Sequence, residues 1–269
     1  MIVIIVIIAI LAAVYLLALM GRTGHQDLPA LRNFRYAHRG LHGDGIPENS
    51  MAAFRLALWK GYGSELDIHL LKDGGLAVIH DSRLQRTTGA DGIVEDLSTE
   101  QLAEYHLEGS LQTIPTLQEV LELYNGQAPL IVELKAEGGN HAQLCQAACE
   151  ALAEYPGLYC IESFDPRCIK WLKENRPDII RGQLSENFLK AKDTGLSWPI
   201  RLALTNLWMN FMTRPDFIAY KYEDRKGLAP TLCSKVWKLQ SVSWTLRRPE
   251  DLDTALSENA IPIFENFVP

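Results

Sequence analysis

The chain has 269 residues, 47% of them hydrophobic, so about 245 remain for a core once an apolar N-terminal run is set aside. That is enough for one large α/β domain or two small ones. A formal net charge of −7 argues against nucleic acid as a partner, because such proteins neutralise phosphates with clustered Lys and Arg. The five cysteines, Cys145, Cys149, Cys160, Cys168 and Cys233, include no CxxC pair and read as reduced, buried thiols rather than a disulfide framework.

Residues 1–20 carry no charge and, as a helix, extend about 30 Å, one hydrocarbon core. They read as a single-pass transmembrane helix. A cleavable signal peptide would carry a basic segment first, and none precedes the run. Arg22, Arg32, Arg35 and Arg39 all follow it, so the positive-inside rule places the large domain on the cytoplasmic side. The expected organisation is an anchor over 1–21, an aperiodic linker over 22–33 and a catalytic domain over 34–269.

From there, short β-branched or apolar runs alternate with helical patterns. Strands are expected at 35–39, 64–70, 76–80, 129–135, 158–164, 179–184, 217–222, 241–245 and 261–265. The second and third are joined by Lys72-Asp73-Gly74-Gly75, too short for a crossover helix, so they pair as an antiparallel hairpin. Helices are expected at 50–60, 98–105, 116–124, 141–154, 166–175, 228–238 and 249–258, and Ser98-Thr99-Glu100-Gln101 and Thr116-Leu117-Gln118-Glu119 have capping-box spacing. With the hairpin return set aside, eight βα units remain. They predict an α/β fold, a (β/α)8 TIM barrel with a β-hairpin extension after the second strand, preceded by the transmembrane helix. An open doubly wound sheet is the other arrangement, but no GxGxxG follows the first strand.

The connection over 187–216 is far longer than an ordinary βα loop. It carries Trp198, Leu202, Leu204, Leu207, Trp208, Met209, Phe211 and Met212, flanked by Lys190, Lys192, Arg201 and Arg214. This is the pattern of a membrane-interfacial helix, or of a helix packed over the barrel.

Glu65 and Asp67 stand one residue apart on an expected strand, so both carboxylates leave the same face. Such a pair repels itself unless a hard cation lies between; the other reading is two solvent-facing acids on an edge strand. Glu133 and Lys135 repeat the spacing, either completing a metal shell and meeting a phosphate or forming an inward salt bridge. His38 and His80 end the first strand and the hairpin return, and their ordinary pKa suits an acid and base at neutral pH. Arg39 offers a fork of donors for phosphate oxygens. His42, His69 and His106 have no comparable setting, and Asp81 reads as an orienting residue.

Taken in order, His38-Arg39-Gly40, Glu48-Asn49-Ser50, Glu65-Leu66-Asp67, His80-Asp81 and Glu133-Leu134-Lys135 resemble the glycerophosphodiester phosphodiesterase family. The likeness continues more loosely through Glu162-Ser163-Phe164 and Val242-Ser243-Trp244-Thr245. The resemblance implies one divalent cation, Mg²⁺ or Ca²⁺, on Glu65, Asp67 and Glu133, with His38 and His80 as catalytic acid and base. It implies phosphate contacts from Arg39 and Lys135, a positioning role for Glu48, and an alcohol site lined by Phe164 and Trp244. The family is similar to barrel-shaped phosphoinositide phospholipases. Glu265-Asn266 departs from the family's usual Thr-Asp, and the 187–216 insertion is outside its common core. The implied activity is hydrolysis of glycerophosphodiesters to an alcohol and glycerol 3-phosphate; the N-terminal helix and the 187–216 insertion add the expectation that membrane-derived lipids are within reach. Lysophospholipase D-type cleavage of a lysophospholipid is the nearer rival, and an inactive membrane-tethered binding protein the more distant one.

Overall fold

The computed structural model describes residues 1–191 and 195–269. Among these, nine strands form one sheet: β1 (Tyr36–Ala37), β2 (Gly63–Leu70), β3 (Leu76–Val78), β4 (Leu130–Leu134), β5 (Tyr159–Ser163), β6 (Arg181–Ser185), β7 (Phe217–Lys221), β8 (Gln240–Leu246) and β9 (Ile261–Phe264). β1 pairs in parallel with both β2 and β9, which closes eight parallel strands into a barrel. β3 pairs antiparallel with β2, outside the ring. All nine expected strands are present, and the barrel with its hairpin is the architecture the sequence pattern predicts.

The helices are α1 (Ile2–Ala18), α2 (Leu28–Leu31), α3 (Met51–Trp59), α4 (Gln85–Thr88), α5 (Leu117–Tyr124), α6 (His141–Leu152), α7 (Pro166–Asn175), α8 (Trp198–Thr205), α9 (Asn210–Thr213), α10 (Leu228–Lys235) and α11 (Pro249–Ser257). α3 starts where the Ser50 hydroxyl accepts the Ala53 amide, and α5 where Thr116 and Glu119 complete their capping box. Residues 99–104 start at the expected cap, Ser98, but wind as a 3₁₀ helix rather than the expected α-helix.

Tyr36, Ile131, Cys160, Leu184, Phe217, Val242, Ile261 and Ile263 belong to one buried apolar cluster contributed by seven strands around the ring. Gly182 makes room for it, since a Cβ there would lie 2.0 Å from the Phe217 ring. A separate, larger cluster joins the outer faces of β2 and β4 to α5, α6 and α7. Polar side chains are therefore collected toward the strands' C-terminal ends. Register aligns them: Asp67 lies beside Glu133, and Glu133 beside Glu162. All five cysteines are buried and free, as their spacing implies.

The N-terminal segment corrects the reading of 1–20 as a membrane-crossing helix. Among the described residues, no helix is long and apolar enough to cross a membrane. α1 has 17 residues, about 26 Å at the helical rise, and its last turn is engaged with the barrel. Leu19 is fully buried, Trp237 Nε1 donates to the Leu16 carbonyl at 2.9 Å, and the Tyr15 hydroxyl donates to Asn206 Oδ1 at 3.3 Å. The following segment is packed as well: Leu28 and Leu31 are buried, and Arg22 pairs with buried Asp216.

Candidate active site

The site is built where β1, β2, β4 and the residues after β3 end. β1 is short, and the chain turns sharply after it: Arg39 and Gly40 both have positive φ. Glycine is required at 40, because a Cβ would meet Ala53 Cβ at 2.8 Å where α3 packs against the turn. The turn aims the Arg39 amide at Glu65 Oε2, 3.1 Å away. The Arg39 guanidinium then reaches Glu48 Oε1 at 2.9 Å and Asp67 Oδ2 at 3.4 Å. Asn49, another positive-φ residue, donates its amide to the Arg39 carbonyl and its Nδ2 to Asp67 Oδ2, each at 2.9 Å.

Glu65, Asp67 and Glu133 are buried, and each offers an oxygen within 4.8 Å of the others. The Lys135 ammonium bridges two of them, 2.9 Å from Asp67 Oδ1 and 2.6 Å from Glu133 Oε1. Burial and the neighbouring carboxylates Asp67 and Glu133 push the Glu65 carboxyl well above the usual carboxylate range. Burial pushes Glu133 up too, against the pull of Lys135. Asp67 goes the other way: burial opposes its ionisation, but Lys135 and other nearby cations hold it well below the ordinary value. The cluster thus has more negative charge than its own cations satisfy. Glu162 adds to the excess, raised by burial and by Glu133, with Oε2 lacking a hydrogen-bond partner. Buried oxygen donors with surplus negative charge fit a hard divalent cation.

His38, Arg39, Glu65, His80, Glu133, Lys135, Phe164 and Trp244 line one cleft. Beside it opens a wider cavity of about 510 Å³, to which His80, Glu133, Lys135 and Phe164 also contribute. The Phe164 and Trp244 rings meet edge to face at 5.6 Å and form an apolar wall of the cleft that holds His38 and Arg39. His38 Nε2 lies 3.9 Å from Glu65 Oε2, and burial lowers the imidazole's pKa. His80 Nδ1 is 2.5 Å from Asp81 Oδ1. Of the residues singled out in sequence, Asp67 lies behind the others, under Arg39 and Lys135, and Glu48 stands outside, supporting Arg39.

Several side chains in this network carry no mark in the sequence. Arg86 donates to Asp81 Oδ2 at 2.5 Å and to Glu48 Oε1 at 2.6 Å, so Asp81 and Glu48 belong to one chain of ion pairs. His69, with no evident setting in sequence, is buried with Nδ1 2.6 Å from Glu95 Oε1 and Nε2 3.1 Å from the His80 carbonyl. Glu265 lies 2.5 Å from His38 Nδ1. Barrel closure was the available signal for this last contact, because Ala37 and Phe264 are register partners and the residues after them must be neighbours. In the insertion, Trp198, Ile200, Trp208 and Phe211 are exposed, while Leu207 is buried. Lys192 lies outside the described residues.

Residues 38–268 match the model of the glycerophosphoryl diester phosphodiesterase family. A glycerophosphodiester phosphodiesterase of Bacillus altitudinis is 44% identical over 130 residues, covering 46% of this chain and 48% of that protein. The lysophospholipase D GDPD1 of Rattus norvegicus is 34% identical over 132 residues, 44% of this chain and 40% of that protein. The matched stretch thus spans less than half the length of either relative. Among solved structures, an Oleispira antarctica phosphodiesterase in complex with the product sn-glycerol-3-phosphate has the same fold. Its TM-score is 0.70 at 23% identity, covering 86% of this chain and 92% of that one.

Proposed function

This chain belongs to the glycerophosphoryl diester phosphodiesterase family, and from that premise we propose that it hydrolyses glycerophosphodiesters to an alcohol and glycerol 3-phosphate. One observation carries the reading: His38 and His80 converge on the cleft that also holds Arg39, Lys135 and the carboxylates. A divalent cation held by Glu65, Asp67 and Glu133, Mg²⁺ or Ca²⁺, would neutralise charge on the phosphodiester and polarise its phosphorus–oxygen bonds.

Arg39 and Lys135 bind the non-bridging oxygens. One histidine takes the proton of the attacking hydroxyl as the new P–O bond forms, and the other gives a proton to the departing alcohol oxygen as its P–O bond breaks. Where the attacking hydroxyl is the glycerol's own, the product is a cyclic phosphate, which water opens with the two roles reversed. The alcohol part of the substrate lies against Phe164 and Trp244.

Lipid substrates are the second reading, with lysophospholipase D-type cleavage as its form. It is supported by the course of α1. Arg22 meets Asp216 just before β7, whereas Tyr15 meets Asn206, next to Thr205, whose carbonyl takes the Tyr220 hydroxyl near the end of β7. α1 therefore runs antiparallel to β7, and its free residues 2–14, about 20 Å of helix, rise on the side of the catalytic mouth. They are apolar around the whole circumference, which suits lipid better than a one-sided protein groove. Insertion of this segment in a bilayer would hold the mouth toward the lipid headgroups, with the domain on the cytoplasmic side.

Incubation with a panel of glycerophosphodiesters and lysophospholipids, with and without chelator, tests reaction, metal need and preference together. We expect metal-dependent release of an alcohol and a glycerol phosphate. Absence of product from every diester, with metal supplied, would refute the assignment.

A further inference from the structure

The first-strand histidine has a partner that the phosphodiesterase motifs do not supply. Glu265 follows β9, and the backbone bond from the His38 amide to the Phe264 carbonyl, 2.9 Å, brings the two strand ends together. The carboxylate is then held at both oxygens. Oε2 lies 2.5 Å from His38 Nδ1, and Oε1 takes Arg247 Nε at 2.6 Å. His42 Nε2 stands 3.8 Å from Oε2. Burial opposes ionisation of Glu265, but His38, His42 and Arg247 together outweigh it and hold the carboxyl well below the usual range.

An ionised carboxylate only accepts hydrogen bonds, so the His38 nitrogen facing it must carry the proton. The other nitrogen, Nε2, faces Glu65 and the cleft. We propose that Glu265 is a positioning residue for the reaction assigned above: it fixes His38 in the Nδ1–H tautomer with Nε2 presented to the substrate, and Arg247 holds Glu265 in place. The family's usual Thr-Asp at this position does not predict such a role. His38, His42 and Glu265 also offer three donors within 4.8 Å of one another, a set that suits zinc. Arg247 against the carboxylate favours the hydrogen-bonded arrangement over a metal there.

The inference rests on the proposed phosphodiesterase reading, and the test separates the two. ¹⁵N NMR of histidine-labelled full-length protein, with His38 assigned from the His38→Ala spectrum, reads the tautomer without any substrate. We expect Nδ1–H in the wild type and a shift toward Nε2–H in Glu265→Gln, whose amide can donate as well as accept. On the diester the enzyme turns over, Glu265→Gln should lower kcat by about 10²–10⁴-fold, the range of a misset catalytic histidine, while KM changes less than about threefold. Glu265→Asp should recover part of kcat.

A wild-type His38 protonated on Nε2 overturns the proposal, even if the variant fails to fold. So does a loss confined to KM, which would mark Glu265 as a substrate-binding group. Stoichiometric Zn²⁺ binding that His42→Gln abolishes would make Glu265 a ligand and overturn it equally. If no diester is turned over, the tautomer measurement still decides.

Discussion

Two stretches of the barrel's rim are built on opposite plans. Between β1 and β4, charged side chains are tied into one network: Arg39 to Glu48 and Asp67, Lys135 to Asp67 and Glu133, Arg86 to Glu48 and Asp81. Between β6 and β7, the 187–216 insertion leaves Trp198 63% and Phe211 55% exposed. On the proposed reading, the difference follows from what each stretch would do. Proton transfer and charge neutralisation need atoms fixed to fractions of an ångström, which strand register and buried ion pairs supply. Contact with a soft apolar surface needs exposed side chains that adapt to it.

The comparison breaks most visibly if the first region is disarmed. His38→Ala and His80→Ala should each lower kcat by about 10²–10⁴-fold on soluble and lipid diesters alike; near-normal turnover of either substrate by either variant would remove that histidine from the chemistry. Substitution in the second region should be selective instead. Trp198→Ser combined with Phe211→Ser is expected to lower turnover of lysophospholipid in vesicles by roughly tenfold, in keeping with the lost interfacial area. A soluble glycerophosphodiester should be far less affected, and equal losses on both substrates would deny the insertion a role in access.

The smallest effect concerns the network's tie to pH. Burial raises the Glu48 carboxyl, but Arg86 and Arg39 overcome it and hold the group below its ordinary value; Asp81 is lowered by His80, then by Arg86. In the folded state both groups bind fewer protons than in the unfolded chain. Their stabilisation is therefore present above pH about 4 and is lost as pH falls through the folded values. Arg86→Met should flatten the acid limb of stability measured by urea unfolding at stepped pH. Arg86 is half exposed, so the change should be about 1 kcal/mol or less. An unaltered acid limb would show that Arg86 contributes nothing to this coupling.

The strands were legible because each is a short apolar run bounded by turn residues, and the Lys72–Gly75 turn required a hairpin. Glu65, Asp67, Glu133 and Lys135 were legible because side chains two apart on a strand share a face. His69 with Glu95, Arg86 and Glu265 were not, because each meets a partner 26 or more residues distant in the chain. α1 misled for a related reason. Its composition is that of a membrane-spanning helix, but composition does not record that Leu16 and Leu19 are engaged by the barrel.

By itself, the sequence determined which residue types lie on each strand and hence the barrel, its hairpin and the chemical character of the cleft, since periodicity and turns are local properties. Tertiary structure decided the rest: that Glu133 stands level with Asp67, that Glu265 closes on His38, and that the last turn of α1 is held by Trp237 and Asn206. Those are consequences of ring closure and packing, which bring together groups that no local pattern relates.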